Sequence, residues 1–365
     1  MSAWSASAQC KVTDDYDVSF GQRSGRPLKP ITVLAFGTSL MWGDGLKQEN
    51  TFRHIVADWA ASEARRPSHL VTFAHSAALL GPPEPRYAPN PVPELADLND
   101  PRPTVDEQIR CAGGMRDLLQ ADLVLIEGCV NEVGAEDIAY PWTTKEHLRD
   151  ETKKACDGPM VTELAVVREL FPRAWIVVVG YYPLVSDRSS LFGFSSTRRL
   201  ARHAIKIHTA KHPGEQPAKT SRGRKEEHNF LVSNSEEFYQ SSKDALTSAI
   251  DARAAAGDHK VAFAKLPEIS LGFGRETVDP SYAYGAPQRH EWMVPVRFLF
   301  FFAFYKDQKY WYRQRLCAKH VGPGWQRLVC DSSPAFHPNL RGAETFAASI
   351  EAAVPRAEIA NWKAR

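Results

Sequence analysis

The chain has 365 residues, 43% of them hydrophobic and 24% charged, enough to bury a sizeable core in one large or two small domains. A formal net charge of +2 excludes the strong bias that marks a nucleic-acid or anionic-membrane partner. No apolar run approaches the roughly 20 residues of a spanning helix, and the opening "MSAWSASAQCKVTDDYD" lacks the basic start and apolar core of a secretory leader. As given, the chain reads as cytoplasmic, or as secreted if a leader was removed.

Along the chain, short apolar strands alternate with stretches of helical spacing. "ITVLAF" (31–36) is β-branched and predicts a strand; "TFRHIVADWAASEA" (51–64) predicts a helix. Further strands are predicted at 70–74, 122–127, 175–180 and 260–266, and further helices at 104–120, 160–171 and 241–256. Continuous apolar strands interleaved with helices predict a three-layer α/β/α sandwich around a parallel sheet of about five strands. The whole chain, 1–365, reads as a single domain with its core in 31–183 and 260–353 and an inserted segment at 184–259.

Residues 81–103 are proline-dense and predict a long loop over the rim. Residues 209–228 are polar and nearly free of aliphatics, and read as a solvated insertion rather than a nucleic-acid contact. The run "FLFFFAFYKDQKYWY" (298–312) reads as a buried helix or as an apolar lid, with burial the plainer reading. The six cysteines, Cys10, Cys111, Cys129, Cys156, Cys317 and Cys330, form no C-x-x-C pair. They read mostly as reduced, buried thiols, with a Cys317–Cys330 bridge left open.

In a parallel sheet, sites form beyond the carboxyl ends of the strands. Three predicted strand ends are chemically unusual: Gly37-Thr38-Ser39, His75-Ser76-Ala77, and Gly128-Cys129-Val130-Asn131-Glu132. Near the C-terminus, "FHPNLRGAETFA" sets His337 just ahead of a helix. A hydroxyl, an imidazole and a carboxamide can therefore converge at one rim. His75 and Asp44 read as loop residues, and Trp42, Trp142 and Tyr181 as core aromatics rather than an acyl pocket.

These blocks, in order, resemble the SGNH hydrolase superfamily, also called GDSL esterases and lipases: "FGTSLMWGDGL", Ser76-Ala77-Ala78, "EGCVNEVG" and "FHPNLRGAETFA". The stretches "PTVDEQI", "DLVLIEGCVNEV" and "FPRAWIVVVGYYPLVS" further resemble a bacterial subgroup of it. The resemblance implies a flavodoxin-like sheet with insertions and a serine esterase that needs no metal or nucleotide cofactor and acts on a small-molecule or lipid ester. Ser39 would be the nucleophile and His337 the general base. The N–H groups of Ser39 and Ala77, with the Asn131 amide, would form the oxyanion hole.

The chain departs from the family at two places. Thr38 stands where the family has an aspartate that holds the first loop. Pro334 stands where an acid three residues before the histidine would orient it; Asp331, or a backbone carbonyl of Ser332 or Ser333, would serve instead. Two other functions stay open beside the esterase: an acyltransferase on the same scaffold, and a catalytically inactive binding module.

Overall fold

The computed structural model describes residues 12–19, 28–81, 103–138, 140, 142–184, 224–266, 309–320, 337–338 and 340–365. Six strands form one sheet: β1 (Asp14–Val18), β2 (Ile31–Phe36), β3 (Ser68–Thr72), β4 (Leu123–Ile126), β5 (Trp175–Val179) and β6 (Val261–Ala264). The spatial order is β1-β3-β2-β4-β5-β6, with β1 antiparallel to β3 and every other pairing parallel. Without β1, this is the flavodoxin-like order, which reverses direction at β2 and β4. Every residue of β2 and β4 is buried, as a sheet covered on both faces requires.

In chain order the helices are α1 (Ser39–Trp42), α2 (Phe52–Ala64), α3 (Val105–Gly113), α4 (Val130–Val133), α5 (Ala135–Ile138), α6 (Lys145–Leu170), α7 (Arg224–Ala255), α8 (Tyr310–His320), α9 (Leu340–Ala353) and α10 (Arg356–Ala364). Packing groups α2, α9 and α10 into one layer and α3, α6 and α7 into the other. Phe52 of α2 stacks on Phe346 of α9 at 5.2 Å between ring centroids. On β2, Phe36 stacks on Phe73 and on Phe171.

Three elements differ from expectation. Strand β1 ("DDYDV") was not expected, because three aspartates carry little strand propensity. It forms because its polar side chains are used. Arg53, wholly buried, donates to Asp14 at 3.2 Å and to the carbonyls of Met41 and Trp42 at 2.6 Å, while His54 Nε2 lies 2.5 Å from Asp14. Burial raises the Asp14 carboxyl's pKa, but His54 and Arg53 win and hold it below the usual carboxylate range.

Helix α6 starts well before residue 160 and runs through Pro159, a proline that reads as a helix boundary in sequence. Helix α7 extends from the expected 241–256 back to Arg224, so the end of the polar insertion is helical. The expected loop at 81–103 (apart from its two ends), the insertion at 209–223, the aromatic run as far as residue 308 and Asp331 lie outside the described residues.

The expectation of reduced thiols is overturned. Cys129, in the loop after β4, is bonded to Cys156 of α6, with Cα atoms 5.1 Å apart, and Cys111 and Cys317 each take part in a further disulfide. The βα crossover brings Cys129 and Cys156 together across 27 positions of sequence, which spacing alone does not reveal. No described helix is long and apolar enough to cross a membrane.

Candidate active site

Strand β2 delivers its last residue, Phe36, to the carboxyl rim, and Gly37 follows. A Cβ on Gly37 would lie 2.7 Å from Glu127 Oε2 and 2.8 Å from Met41 Cβ, so only glycine passes this point without displacing a neighbour. Thr38 then caps α1, its hydroxyl accepting from the Leu40 N–H at 3.5 Å. Ser39 is the first residue of that helix and is half-buried.

His337 stands three residues before α9. Its Nε2 lies 2.7 Å from Ser39 Oγ, a hydrogen bond between groups 298 positions apart in the chain. An imidazole in that position can take the hydroxyl proton and return it.

The loop after β3 makes a turn closed by the Ala78 N–H donating to the His75 carbonyl at 3.2 Å. Ala77 occupies the third position of this turn at φ +56°, a left-handed conformation that costs a side-chain-bearing residue about 1 kcal/mol. The loop after β4 passes through Gly128 to Cys129, at φ +106°, which leads into α4. Asn131 on α4 donates its amide to the Ala78 carbonyl at 2.8 Å, tying the second loop to the third. Glu132 accepts from the Leu80 N–H, and burial pushes its carboxyl up to about 7.

Two further residues were not singled out from sequence. Glu127, directly after β4, is wholly buried. It accepts from the Thr38 N–H (2.8 Å), from the Thr38 hydroxyl (2.9 and 3.0 Å to its two oxygens) and from the Tyr181 hydroxyl (2.7 Å). Desolvation raises its pKa, against the pull of these donors. Where the resemblance expects an aspartate at position 38, a threonine faces a carboxyl group supplied from the neighbouring strand. The signal in the sequence was a lone acid closing the apolar run "DLVLIE".

The second such residue is Gln108 of α3. Its Oε1 accepts from the Gly37 N–H (2.9 Å) and its Nε2 donates to the Gly37 carbonyl (3.1 Å). Helix α3 is held at its start by a reciprocal pair of bonds between Thr104 and Glu107.

Tyr181 is a core residue here and not a pocket wall. Its hydroxyl is buried between Glu127 and the Val130 N–H, and both burial and the Glu127 charge push its pKa well up. Trp42 is buried beneath the Lys309 ammonium, 4.0 Å from the ring centroid. Asp44 is a buried turn residue whose N–H donates to the Ser39 carbonyl. Trp142 packs against Tyr140. Among the described residues, no three His, Cys, Asp or Glu side chains gather as a metal site requires. A basic cleft formed by Arg65, Arg66, Lys363 and Arg365 lies by the amino end of β3, away from Ser39.

Ser39 follows β2 and Asn131 follows β4, so the two straddle the point where the sheet order reverses. The fold is a mixed α/β one, a mostly parallel six-stranded sheet with helices packed around it. No protein-family model matches this chain, and no curated protein does. Among solved structures, a phospholipase A1 from Streptomyces albidoflavus NA297 is 13% identical, with 89% of this chain and 100% of that one covered and a TM-score of 0.37. An extracellular lipase from Streptomyces rimosus is 12% identical, with 89% and 100% covered and a TM-score of 0.38. A salicylyl-acyltransferase from a tetracycline biosynthetic pathway is 13% identical, with 93% and 58% covered and a TM-score of 0.34. Likenesses this distant carry no argument about chemistry, which rests on this chain's own side chains.

Proposed function

We propose that this protein is a serine hydrolase that cleaves a carboxylic ester through an acyl-enzyme on Ser39. The observation that carries the reading is the 2.7 Å contact between His337 Nε2 and Ser39 Oγ at the switch point of the sheet. A serine hydroxyl is a poor nucleophile until a base removes its proton. In this reading His337 accepts the proton as Oγ attacks the acyl carbon. The developing oxyanion is met by the N–H groups of Ser39 and Ala77 and by the Asn131 amide. His337 then gives the proton to the departing alcohol, and water, activated by the same imidazole, hydrolyses the acyl-enzyme.

His337 in turn needs an orienting acceptor. Asp331, or a carbonyl of Ser332 or Ser333, holds that place in this proposal. The disulfides favour an oxidising compartment over the cytoplasm as the place where the enzyme works.

The test is turnover of short-chain p-nitrophenyl esters together with labelling by a fluorophosphonate probe. Ester turnover and a single label on Ser39, both lost in Ser39→Ala, are the expected result. Turnover that survives Ser39→Ala sinks the reading. Product analysis with an added acceptor alcohol then separates water from an alcohol as the natural acceptor.

A further inference from the structure

We propose that Glu127 is the positioning residue of this site, and that its one carboxyl group bolts the nucleophile loop after β2 to the oxyanion loop after β4. The inference deepens the Ser39 reading and rests on it.

The geometry runs in two directions from the carboxyl. On one side, Oε2 accepts the Thr38 N–H at 2.8 Å and both oxygens accept the Thr38 hydroxyl. This fixes the backbone immediately ahead of Ser39, and so the direction of the Ser39 N–H and the Cα from which Oγ projects. On the other side, Oε1 accepts the Tyr181 hydroxyl at 2.7 Å, and the oxygen of that hydroxyl accepts the Val130 N–H at 3.2 Å. Val130 immediately precedes Asn131. A chain of hydrogen bonds therefore runs from the residue before the candidate nucleophile to the residue before the candidate carboxamide donor, with Glu127 in its middle.

The surroundings are cut to suit that carboxyl. Gly37 has no Cβ where Glu127 Oε2 sits. Glu127 is wholly buried, a costly place for a carboxyl group unless several donors face it. Glutamine would keep the shape but offers one acceptor oxygen in place of two. Either the Thr38 N–H or the Tyr181 hydroxyl would then face an NH2 group.

The experiment compares full-length wild type with Glu127→Gln, Glu127→Asp and Tyr181→Phe. Three readouts are taken: kcat and KM on a p-nitrophenyl ester, the fluorophosphonate labelling rate at Ser39, and hydrogen exchange by mass spectrometry over peptides spanning 36–42 and 129–133. For Glu127→Gln the expected result is a kcat and a labelling rate lowered about 10- to 100-fold, with KM within about threefold, since misplaced donors and nucleophile lose transition-state contacts. Exchange quickens in both peptides and not in β6. Glu127→Asp, which keeps the carboxylate, recovers part of the rate.

Rates within twofold of wild type overturn the proposal. So does a loss that follows only the folded fraction, with exchange quickened throughout the chain. If Glu127→Gln does not fold, Tyr181→Phe cuts the chain of bonds and leaves the carboxyl in place. Its expected mark is faster exchange at 129–133 with about a tenfold loss of kcat, and an unchanged kcat overturns the proposal. Failure of the hydrolase reading is distinct from both. It is a wild type unlabelled at Ser39, in which exchange at 36–42 and 129–133 still quickens together when Glu127 is changed.

Discussion

The loops after β2 and after β3 meet at the same rim but are built in opposite ways. Around Gly37 and Thr38 the backbone is held from outside: Gln108 reaches in from α3, Glu127 from β4, and the His75 N–H from β3. Around Ala77 the turn is closed by its own backbone, and its outside ties include the Asn131 amide, the Glu132 carboxyl and the Val105 N–H on the Leu79 carbonyl. The first loop is gripped by side chains, two of which, Gln108 and Glu127, are wholly or almost wholly buried. The second keeps a strained alanine in a conformation glycine would adopt freely. In the proposed chemistry the first loop would carry the attacking group, which tolerates little displacement, and the second would contribute one donor, which tolerates more.

This contrast is open to direct attack. Asn131→Ala removes both a candidate oxyanion donor and the tie to Ala78, and kcat is expected to fall about 100- to 1,000-fold. The accompanying stability loss is only about 1 kcal/mol, the worth of one hydrogen bond. Steady-state kinetics alongside urea unfolding separate the two effects, and a variant with full activity removes Asn131 from the chemistry.

Gly37→Ala tests the rigid loop. The new Cβ meets the Glu127 carboxyl and Met41, and the expected cost is about 2–3 kcal/mol. An unfolding midpoint equal to that of wild type would mean that the loop yields.

Glu163→Gln probes the support from behind. This carboxyl is buried in α6 near Asp106 and Arg110 of α3, the helix that presents Gln108, and desolvation and Asp106 push it up to about 8. A carboxyl raised on folding stabilises fully below its free value of about 4.5, and that contribution is lost as pH climbs through 8. Wild type should therefore lose stability between pH 5 and 8. Glu163→Gln should flatten that slope and be more stable than wild type at pH 8. Parallel slopes in urea melts at the two pH values refute this.

The smallest effect is expected for Ala77→Gly. Relief of the left-handed strain and the added freedom of the unfolded chain oppose each other, leaving a change within about 1 kcal/mol and activity retained.

The parallel strands were legible because β-branched runs such as "ITVLAF" and "WIVVV" have few other ways to bury themselves. The strand-end polar residues followed from them, which is how Ser39 and Asn131 became candidates before any geometry. Strand β1 was hidden because an edge strand needs no apolar alternation and its aspartates bond to groups distant in sequence. Glu127 and Gln108 were hidden for a related reason. A buried polar side chain is defined by its partners, and those partners, Thr38, Tyr181 and Gly37, lie 54 to 89 positions away. Helix α7 was shortened because its first turns are charged and resemble solvated chain.

The short N-terminal strand has a consequence for how the protein ages. Asp14 is the acidic partner of a wholly buried Arg53, and Arg53 also holds the carbonyls that close the helix begun by Ser39. Proteolytic clipping after residue 19 would leave a buried cation without its counter-ion and lay bare the edge of β3 for pairing with another clipped copy. Loss of a few residues at one border of the sheet would then appear as clumping and as a slackened Ser39 loop together, so intact mass is the quality to check before any assay of activity.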